Sequence, residues 1–121
     1  MPQKIELTLP VPPSLNRSWR NGRGRTYKDE KARAYPRAVL ASWKGAKLPM
    51  LPFPNPVAVR YTLTWYRFPA AGDLDNRVKL VADALNGVAW TDDRQVCEFH
   101  AYRVDCKRGE QRITITIEAA E

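Results

Sequence analysis

The sequence predicts an α+β fold, a two-layer sandwich in which two main helices pack against one mixed β-sheet of about four strands, in the order β-α-β-α-β-β. Two patterns lead to this class. Short segments alternate apolar and polar residues, as strands do, and two longer segments repeat apolar residues every three or four positions, as helices do. The chain has 121 residues, which suits one core, so we expect residues 1–121 to form a single domain.

The N-terminal part of the chain predicts one strand followed by a loop. Ile5, Leu7 and Leu9 alternate with polar residues, which predicts a short half-buried strand. The prolines that follow end it, because proline has no N–H to offer to a sheet. Residues 14–27 contain four arginines, two glycines and two aromatics. This composition predicts a mobile loop that orders on nucleic acid.

The middle of the chain predicts a helix, a connector and a strand. From about residue 29 to residue 44 the apolar residues follow helical spacing, and Pro36 within this segment predicts a kink or a later helix start. Gly45 is suited to end the helix. Four prolines within residues 48–56 predict a connector. Residues 57–66 show the clearest alternation in the sequence, and we expect this strand to lie at the centre of the sheet.

The C-terminal part predicts a second helix and two strands. An apolar stripe with helical spacing begins near Asp75 or Asn76 and is expected to end at Asn86-Gly87. Residues 96–104 predict a strand, although the pattern leaves its inward face open. Alternating isoleucines then predict a last strand over residues 113–117. The order of the strands in the sheet does not follow from these patterns.

The net charge of the whole chain is +7, and the positive charge is concentrated in its N-terminal part. Residues 1–47 contain 11 lysines and arginines against three acidic residues, whereas residues 48–121 contain nine against ten. A basic segment that attracts a polyanion, separate from an acidic patch that holds a metal, is the arrangement expected of a nuclease. Our candidate DNA contacts in this segment are Arg17, Arg20, Arg23 and Arg25.

An acidic cluster lies within residues 72–96, although the protein as a whole is basic. Its members are Asp73, Asp75, Asp83, Asp92 and Asp93. Neighbouring carboxylates repel one another unless a cation lies among them, and a hard divalent cation with oxygen ligands is the usual partner. Asp73 and Asp75 point the same way in an extended segment, so they can share an ion. We therefore predict a Mg²⁺ site for phosphate chemistry, to which a separate turn can return Asp92 and Asp93.

Each of these residues also has a purely structural explanation. Asp75 can cap the start of a helix. Asp83 can pair with Lys79 four residues before it, on the surface of the helix. The two aspartates at positions 92 and 93 can simply form a turn. Both explanations stay open for each residue taken alone.

Three blocks of the sequence resemble the RusA family of Holliday junction resolvases. They are DLDNRVK at residues 73–79, DALNG at residues 83–87 and DDRQV at residues 92–96. The segment PPSLNR at residues 12–17 is also similar to the start of that family. The resemblance therefore spans nearly the whole chain, and the combination of blocks in this order is specific.

The resemblance implies a homodimeric, Mg²⁺-dependent endonuclease that resolves four-way junction DNA by paired nicking, in recombination and repair, in bacteria and their phages or prophages. It implies that Asp73, Asp75 and Asp93 are the catalytic carboxylates and the metal ligands. It also implies that Lys79 is an essential lysine. These four side chains are our candidate catalytic residues.

Other motif positions support this assignment. Asp83, Asp92 and Asn76 match positions of the family signature, and Asp92 is a further candidate metal ligand. Asn16 matches a motif residue near DNA, so Asn16 and Asn76 join the candidate DNA contacts. The chain departs from some members at residues 68–72, where FPAAG stands in place of a basic run.

The sequence lacks the features of several other classes of protein. No apolar run is long enough to span a membrane and the N-terminus does not resemble a signal peptide, so we expect a cytoplasmic protein without a membrane partner. Cys97 and Cys106 lack metal-ligand spacing and are expected to be free thiols. A nucleotidyltransferase would need a phosphate-binding glycine-rich loop, which is absent, so we expect no nucleotide cofactor. A junction-binding module without catalysis is the alternative function.

Overall fold

The computed structural model describes residues 4–12, 19–22, 25–28, 30–66 and 74–120. Its elements are β1 (Lys4–Leu9), β2 (Trp19–Gly22), β3 (Arg25–Lys28), α1 (Glu30–Gly45), β4 (Val57–Trp65), α2 (Leu74–Leu85), a one-turn 3₁₀ helix (Asp93–Gln95), β5 (Val96–Asp105) and β6 (Arg112–Ala119). Four strands form one mixed sheet and two form a separate hairpin. The predicted α+β architecture, with two helices and one sheet of four strands, is confirmed.

The sheet has the strand order β1-β6-β4-β5. β4 lies inside the sheet, antiparallel to β6 and parallel to β5, which confirms the central position predicted for it. A parallel pair of strands needs a crossover connection, and α2 supplies it. The resulting β4-α2-β5 unit carries the acidic residues that the sequence analysis singled out.

The core forms where the alternating strands meet the helices. Val57, Val59, Tyr61 and Leu63 of β4 are at most 1% exposed. The other elements contribute Ile113, Ile115, Ile117, Tyr35, Val39, Trp43, Val78, Val81 and Leu85. Burying one large aliphatic side chain stabilises the fold by about 1.5–3 kcal/mol, so this cluster fixes the position of β4 and α2.

One local prediction was wrong. The loop predicted over residues 14–27 contains two strands where the structure describes it: Trp19 pairs with Lys28, and Gly22 with Arg25. Arginine and glycine suggested a loop, but a hairpin needs only backbone pairing.

The first helix is confirmed, since α1 spans Glu30–Gly45 where residues 29–44 were predicted. Of the two outcomes expected at Pro36, a late start is excluded, because the helix begins six residues before it. One lost backbone hydrogen bond is tolerated in a helix whose apolar face is packed.

β5 explains why its inward face could not be predicted. It is an edge strand, and most of its residues on both faces are exposed, including Phe99 (52%), Tyr102 (45%) and Val104 (45%). Cys97 and Cys106 are free thiols, as predicted. Among the described residues, neither helix is long and apolar enough to cross a membrane.

Candidate active site

The chain between α2 and β5 is anchored by buried residues. Gly87 has a positive φ of 85°, and its N–H donates to the carbonyl of Trp90 at 2.8 Å. Such a φ favours glycine, because a side chain would strain this backbone. Ala89 and Trp90 are fully buried. This anchoring fixes the following segment, residues 90–95, which we call the acidic turn.

Asp93 is the carboxylate that the acidic turn presents to solvent. Its Oδ1 accepts a hydrogen bond from the indole Nε1 of Trp90 at 3.0 Å. Its Oδ2 lies 3.5 Å from the Nδ2 donor of Asn86, at the end of α2. Because Trp90 is fully buried, one side of the carboxylate is fixed while the residue itself stays exposed. A ligand carboxylate held in this way is oriented before anything binds to it.

Asp92 has a different environment, although it is the next residue. Its Oδ1 caps the 3₁₀ helix by accepting from the backbone N–H of Arg94 at 2.9 Å. Its Oδ2 accepts from the Arg94 guanidinium at 3.2 and 2.9 Å. The hydrogen bonds from Arg94 hold the pKa of Asp92 below its ordinary value. Both oxygens of Asp92 are thus occupied within the acidic turn.

Gln95 attaches the acidic turn to the connector that precedes β4. Its Nε2 donates to the carbonyls of Phe53 at 2.7 Å and Asn55 at 3.0 Å. Its Oε1 accepts from the backbone N–H groups of Thr91 and Asp92 at 2.9 and 3.0 Å. The side chain completes a capping box with Asp92, so the turn is held at both ends.

Tyr61 of β4 is buried within the electrostatic reach of carboxylates from the acidic turn and from α2. Its side chain is fully buried on β4, and its hydroxyl has no hydrogen-bond partner in the described structure. Burial raises the pKa of Tyr61, and the negative charges of Asp93 and Asp83 raise it further. One carboxylate from the acidic turn and one from α2 therefore act on the same buried hydroxyl. The described contact between the acidic turn and α2 is at Asn86, just after the end of the helix, whereas the predicted return of Asp93 to Asp73 and Asp75 stays a prediction.

Helix α2 carries charged residues four positions apart along one side. Lys79 forms an exposed ion pair with Asp83, with its Nζ 3.6 Å from Oδ2. Asp75 lies in the first turn of the helix, where the macrodipole favours negative charge. Eight residues separate Asp75 from Asp83, which corresponds to about 12 Å along a helix. Lys79 thus lies between two carboxylates along the helix. Its ion pair with Asp83 is the structural explanation that the sequence offered for Asp83.

Arg77 attaches the N-terminal segment to the start of α2. Its guanidinium donates a hydrogen bond to the carbonyl of Pro12 at 2.6 Å and lies over the ring of Trp65 at 4.3 Å. Pro12 is the last described residue before residues 16–25, which contain the candidate DNA contacts of the N-terminal part and which we call the basic segment. The basic segment therefore continues from a point beside the helical turn that carries Asp75.

The remaining candidate residues are only partly described. Asp73, Asn16, Arg17 and Arg23 lie outside the described residues, while Arg20 and Arg25 lie in β2 and β3. Asn76 lies in the first turn of α2, and its backbone N–H donates to Asp75 Oδ1 at 3.0 Å.

The described residues do not by themselves form a complete metal site. Within the described ranges, which omit Asp73, no group of three or more His, Cys, Asp or Glu could hold a metal ion. Carboxylate oxygens are the donors that Mg²⁺ prefers. Within the acidic turn, Asp93 offers an exposed carboxylate of this kind, whereas both oxygens of Asp92 are engaged by Arg94.

Sequence reasoning missed two residues of the site. Tyr61 was one apolar position among several in an alternating strand, and Trp90 was not singled out. Nothing in the sequence of β4 distinguishes Tyr61 from its buried neighbours. The signal for Trp90 was its position three residues before Asp93, which brings an indole donor back to the carboxylate across a tight turn.

An exposed carboxylate held on an α+β scaffold, in a chain whose N-terminal part is strongly basic, is the combination expected of an enzyme that processes nucleic acid. The sequence model of the family described as Endodeoxyribonuclease RusA matches residues 10–118. The chain is 35% identical over 113 residues to the crossover junction endodeoxyribonuclease RusA of Escherichia coli strain K12, which covers 91% of this chain and 92% of that protein. The protein of the same name from Enterobacteria phage 82 matches with the same identity and coverage. The chain belongs to the RusA endodeoxyribonuclease family, as its motifs implied.

Proposed function

We propose that this protein is a Mg²⁺-dependent endonuclease that resolves four-way (Holliday) junction DNA by nicking two opposed strands, in recombination and repair in the cytoplasm. Family membership and the activity for which the relatives are named support the substrate. The observation that carries the proposal is the exposed carboxylate of Asp93, fixed by the buried indole of Trp90 at 3.0 Å. A carboxylate oriented in this way is suited to repeated use in chemistry rather than to stability alone.

The residues that would hold the metal are Asp75 and Asp93, together with Asp73, which the resemblance adds. Asp92 is a weaker candidate ligand, because Arg94 already occupies both of its oxygens. When bound, Mg²⁺ would polarise the scissile phosphate and lower the pKa of an attacking water. The contribution of the chain is to hold the carboxylates at fixed positions on the acidic turn and on α2.

Lys79 supplies the positive charge of the proposed site. Its ammonium lies 3.6 Å from Asp83 and is 62% exposed at the side chain, so a phosphate can reach it. The pair with Asp83 is exposed and therefore weak, so the lysine can exchange it for a phosphate oxygen at little cost. Lys79 would then offset the negative charge that develops on the phosphate during cleavage.

We assign DNA binding to the basic segment. The candidate contacts in it are Asn16, Arg17, Arg20, Arg23 and Arg25, and Asn76 of α2 is a further candidate. The hydrogen bond from Arg77 to Pro12 supports this assignment, because it anchors the start of the segment next to the turn that carries Asp75. Contacts to phosphates make binding steeply dependent on salt, so junction affinity should fall sharply as salt rises.

The proposal includes a homodimer, because two opposed nicks need two sites and a two-fold dimer supplies identical ones. The outer edge of β5 supports this part: it is an edge of the described sheet, and the strand exposes Phe99, Tyr102 and Val104. Unpaired edge groups beside large apolar side chains suit pairing with a second copy. Sedimentation should give twice the chain mass of 13.8 kDa, and a monomer that nicks both strands would contradict the dimer.

The test is cleavage of a synthetic four-way junction, labelled on one strand at a time, with Mg²⁺ or with a chelator. A linear duplex of the same sequence is the control substrate. We expect symmetric nicks in two opposed strands of the junction that require Mg²⁺, and little cutting of the duplex. Tight junction binding without any Mg²⁺-dependent cleavage would refute the nuclease and leave the binding module as the function.

A further inference from the structure

Residues 10–12, which follow β1 and which we call the strap, are held by side chains from both helices. The prolines at both ends of the strap have no backbone N–H to offer to a sheet, so β1 ends before them. The hydroxyl of Tyr35 on α1 donates to the carbonyl of Pro10 at 2.9 Å. The guanidinium of Arg77 on α2 donates to the carbonyl of Pro12 at 2.6 Å. The strap is therefore fixed at each end by a different helix.

Arg77 is itself oriented by an aromatic ring. Its guanidinium lies over the ring of Trp65, 4.3 Å from the centroid. Trp65 is the last residue of β4, where it pairs with Asp105 of β5, and its carbonyl accepts from the backbone N–H of Cys106 at 3.1 Å. A planar guanidinium stacked on a ring keeps its N–H donors aimed in fixed directions. Arg77 thus joins the strap, the end of β4 and α2 at one point.

This point lies close to one of the proposed metal ligands and to the start of the basic segment. Arg77 is the fourth residue of α2 and follows Asp75 by two positions, which is about 3 Å along the helix axis. Asn16, the first candidate DNA contact, follows Pro12 by four residues, so covalent geometry keeps their Cα atoms within about 14 Å. The hydrogen bond at Pro12 therefore sets where the basic segment begins relative to α2.

We propose that Arg77 is a positioning residue that couples the basic segment to α2, because its hydrogen bond to Pro12 fixes the start of that segment beside the helical turn of Asp75 before DNA binds. The inference rests on the proposed function and gives a role to a residue to which the family resemblance assigns none. A segment anchored in advance loses less conformational entropy on binding, so the anchor strengthens junction binding without a contact of its own to DNA.

The first test compares Arg77→Met, which removes the anchor at Pro12, with Tyr35→Phe, which removes the anchor at Pro10. The Kd of the full-length protein for a fluorescent four-way junction is measured in EDTA, so that no cleavage occurs. We expect Kd to rise about tenfold in Arg77→Met, since ordering about one more residue on binding costs that much. In Tyr35→Phe we expect an unchanged Kd, because Arg77 still holds Pro12, and a Tm lower by about 4 °C.

The salt dependence of Kd separates an anchor from a direct contact between Arg77 and a DNA phosphate. Loss of one phosphate contact lowers the slope of log Kd against log salt by about 0.9, whereas loss of an anchor leaves the slope unchanged. Arg60→Met is the matched control for the lost charge, since Arg60 of β4 likewise lies over an aromatic ring, that of Tyr102 at 5.7 Å. It should change Kd less than about twofold at physiological salt.

A second test asks whether Arg77 acts through the basic segment. Arg20→Ala and Arg25→Ala together remove two candidate DNA contacts of that segment. In this background Arg77→Met should raise Kd only about threefold or less, because fewer contacts remain for the anchor to position. In cleavage assays with Mg²⁺, Arg77→Met alone should raise the KM for the junction by a larger factor than it lowers kcat.

The outcomes distinguish this inference from the proposed function. If the unmutated protein binds the junction but does not cleave it, the proposed nuclease fails, and the Kd values still decide the inference. If the protein cleaves and Arg77→Met binds as tightly as the unmutated protein, only the inference fails. Equal rises in Kd in Arg77→Met and Tyr35→Phe would overturn it as well.

Two further results would overturn the inference. A salt slope lowered in Arg77→Met but not in Arg60→Met would make Arg77 a direct phosphate contact. A tenfold rise in Kd that persists in the background of Arg20→Ala and Arg25→Ala would show that Arg77 does not act through the basic segment.

Discussion

Two pairs of buried aromatic residues differ in the hydrogen-bond partners of their polar atoms. One pair is Tyr35 and Trp43 of α1, and the other is Trp90 of the acidic turn and Tyr61 of β4. On α1, Tyr35 donates to the carbonyl of Pro10 at 2.9 Å and Trp43 to the carbonyl of Pro49 at 2.9 Å. Beside the acidic turn, Trp90 donates to a carboxylate and Tyr61 has no partner in the described structure.

The comparison separates structural polar atoms from those available to a site. Both pairs consist of one tyrosine and one tryptophan, each at most 4% exposed, so burial alone does not distinguish them. Backbone carbonyls satisfy the α1 pair and close that side of the core. In the other pair, the indole of Trp90 donates to the carboxylate of Asp93 instead, as expected where a carboxylate must be held for use.

The largest effect is expected for Asp93→Asn, with Asp92→Asn as its matched control. Asparagine keeps an oxygen that can accept from Trp90 but removes the charge, so cleavage of the four-way junction should fall about a hundredfold or more while junction binding is kept. Asp92→Asn should change the cleavage rate less than about tenfold, because that carboxylate serves Arg94 and the 3₁₀ helix. Equal losses in the two variants would abolish the distinction between these neighbours.

The second-largest effect is expected for substitution of the two buried tryptophans. Trp90→Phe removes the donor to Asp93, and Trp43→Phe removes the donor to Pro49; both are fully buried. Each change should lower the free energy of unfolding by about 2 kcal/mol, through lost volume and one lost hydrogen bond. Only Trp90→Phe should also lower the cleavage rate, by about tenfold.

Urea unfolding and cleavage rates, measured on both tryptophan variants at a temperature where each is folded, check this prediction. If Trp43→Phe lost as much activity as Trp90→Phe at equal stability, the indole of Trp90 would have no special relation to Asp93.

The smallest effect concerns the pH dependence of stability. Arg94 lowers the pKa of Asp92 in the folded state, so this carboxylate stabilises the fold at a pH above its unfolded pKa, and the contribution disappears as the pH falls through the folded value. Asp92→Asn should therefore lower Tm slightly at neutral pH, and the difference from the unmutated protein should vanish in acid. Arg94→Gln should give the same small loss, since it removes the other partner. A difference that grew in acid would have the wrong sign.

Local patterns predicted most of the elements. The alternation along β4 predicted its burial, and the apolar stripe of α2 predicted a helix whose start, Leu74, lies within two residues of the expected one. The inward face of β5 could not be predicted, because this edge strand exposes both faces and its sequence shows no alternation to detect. The strand order and the parallel pairing of β4 with β5 depend on contacts between distant segments, which local patterns do not contain.

The candidate site was predictable where chemistry needs a particular residue type. Carboxylates in a basic chain stand out, so Asp75 and Asp93 were selected as candidates. The partner of Asp93 was not predicted, because Trp90 is also an ordinary core residue, and only the folded structure shows where its buried indole points. Asp83 was only a supporting position in the sequence analysis. In the folded structure its negative charge, like that of Asp93, raises the pKa of the buried Tyr61.

The most direct test of the account is to locate the metal. Crystals of the unmutated protein grown with Mn²⁺ in place of Mg²⁺ would give an anomalous signal that marks the ion. The account predicts an ion with an oxygen of Asp93 among its ligands, at about 2.1 Å as for Mg²⁺, and with the Trp90 indole still bonded to the same carboxylate. An ion bound elsewhere, with Asp93 making no contact to it in a protein that cleaves junctions, would contradict the account.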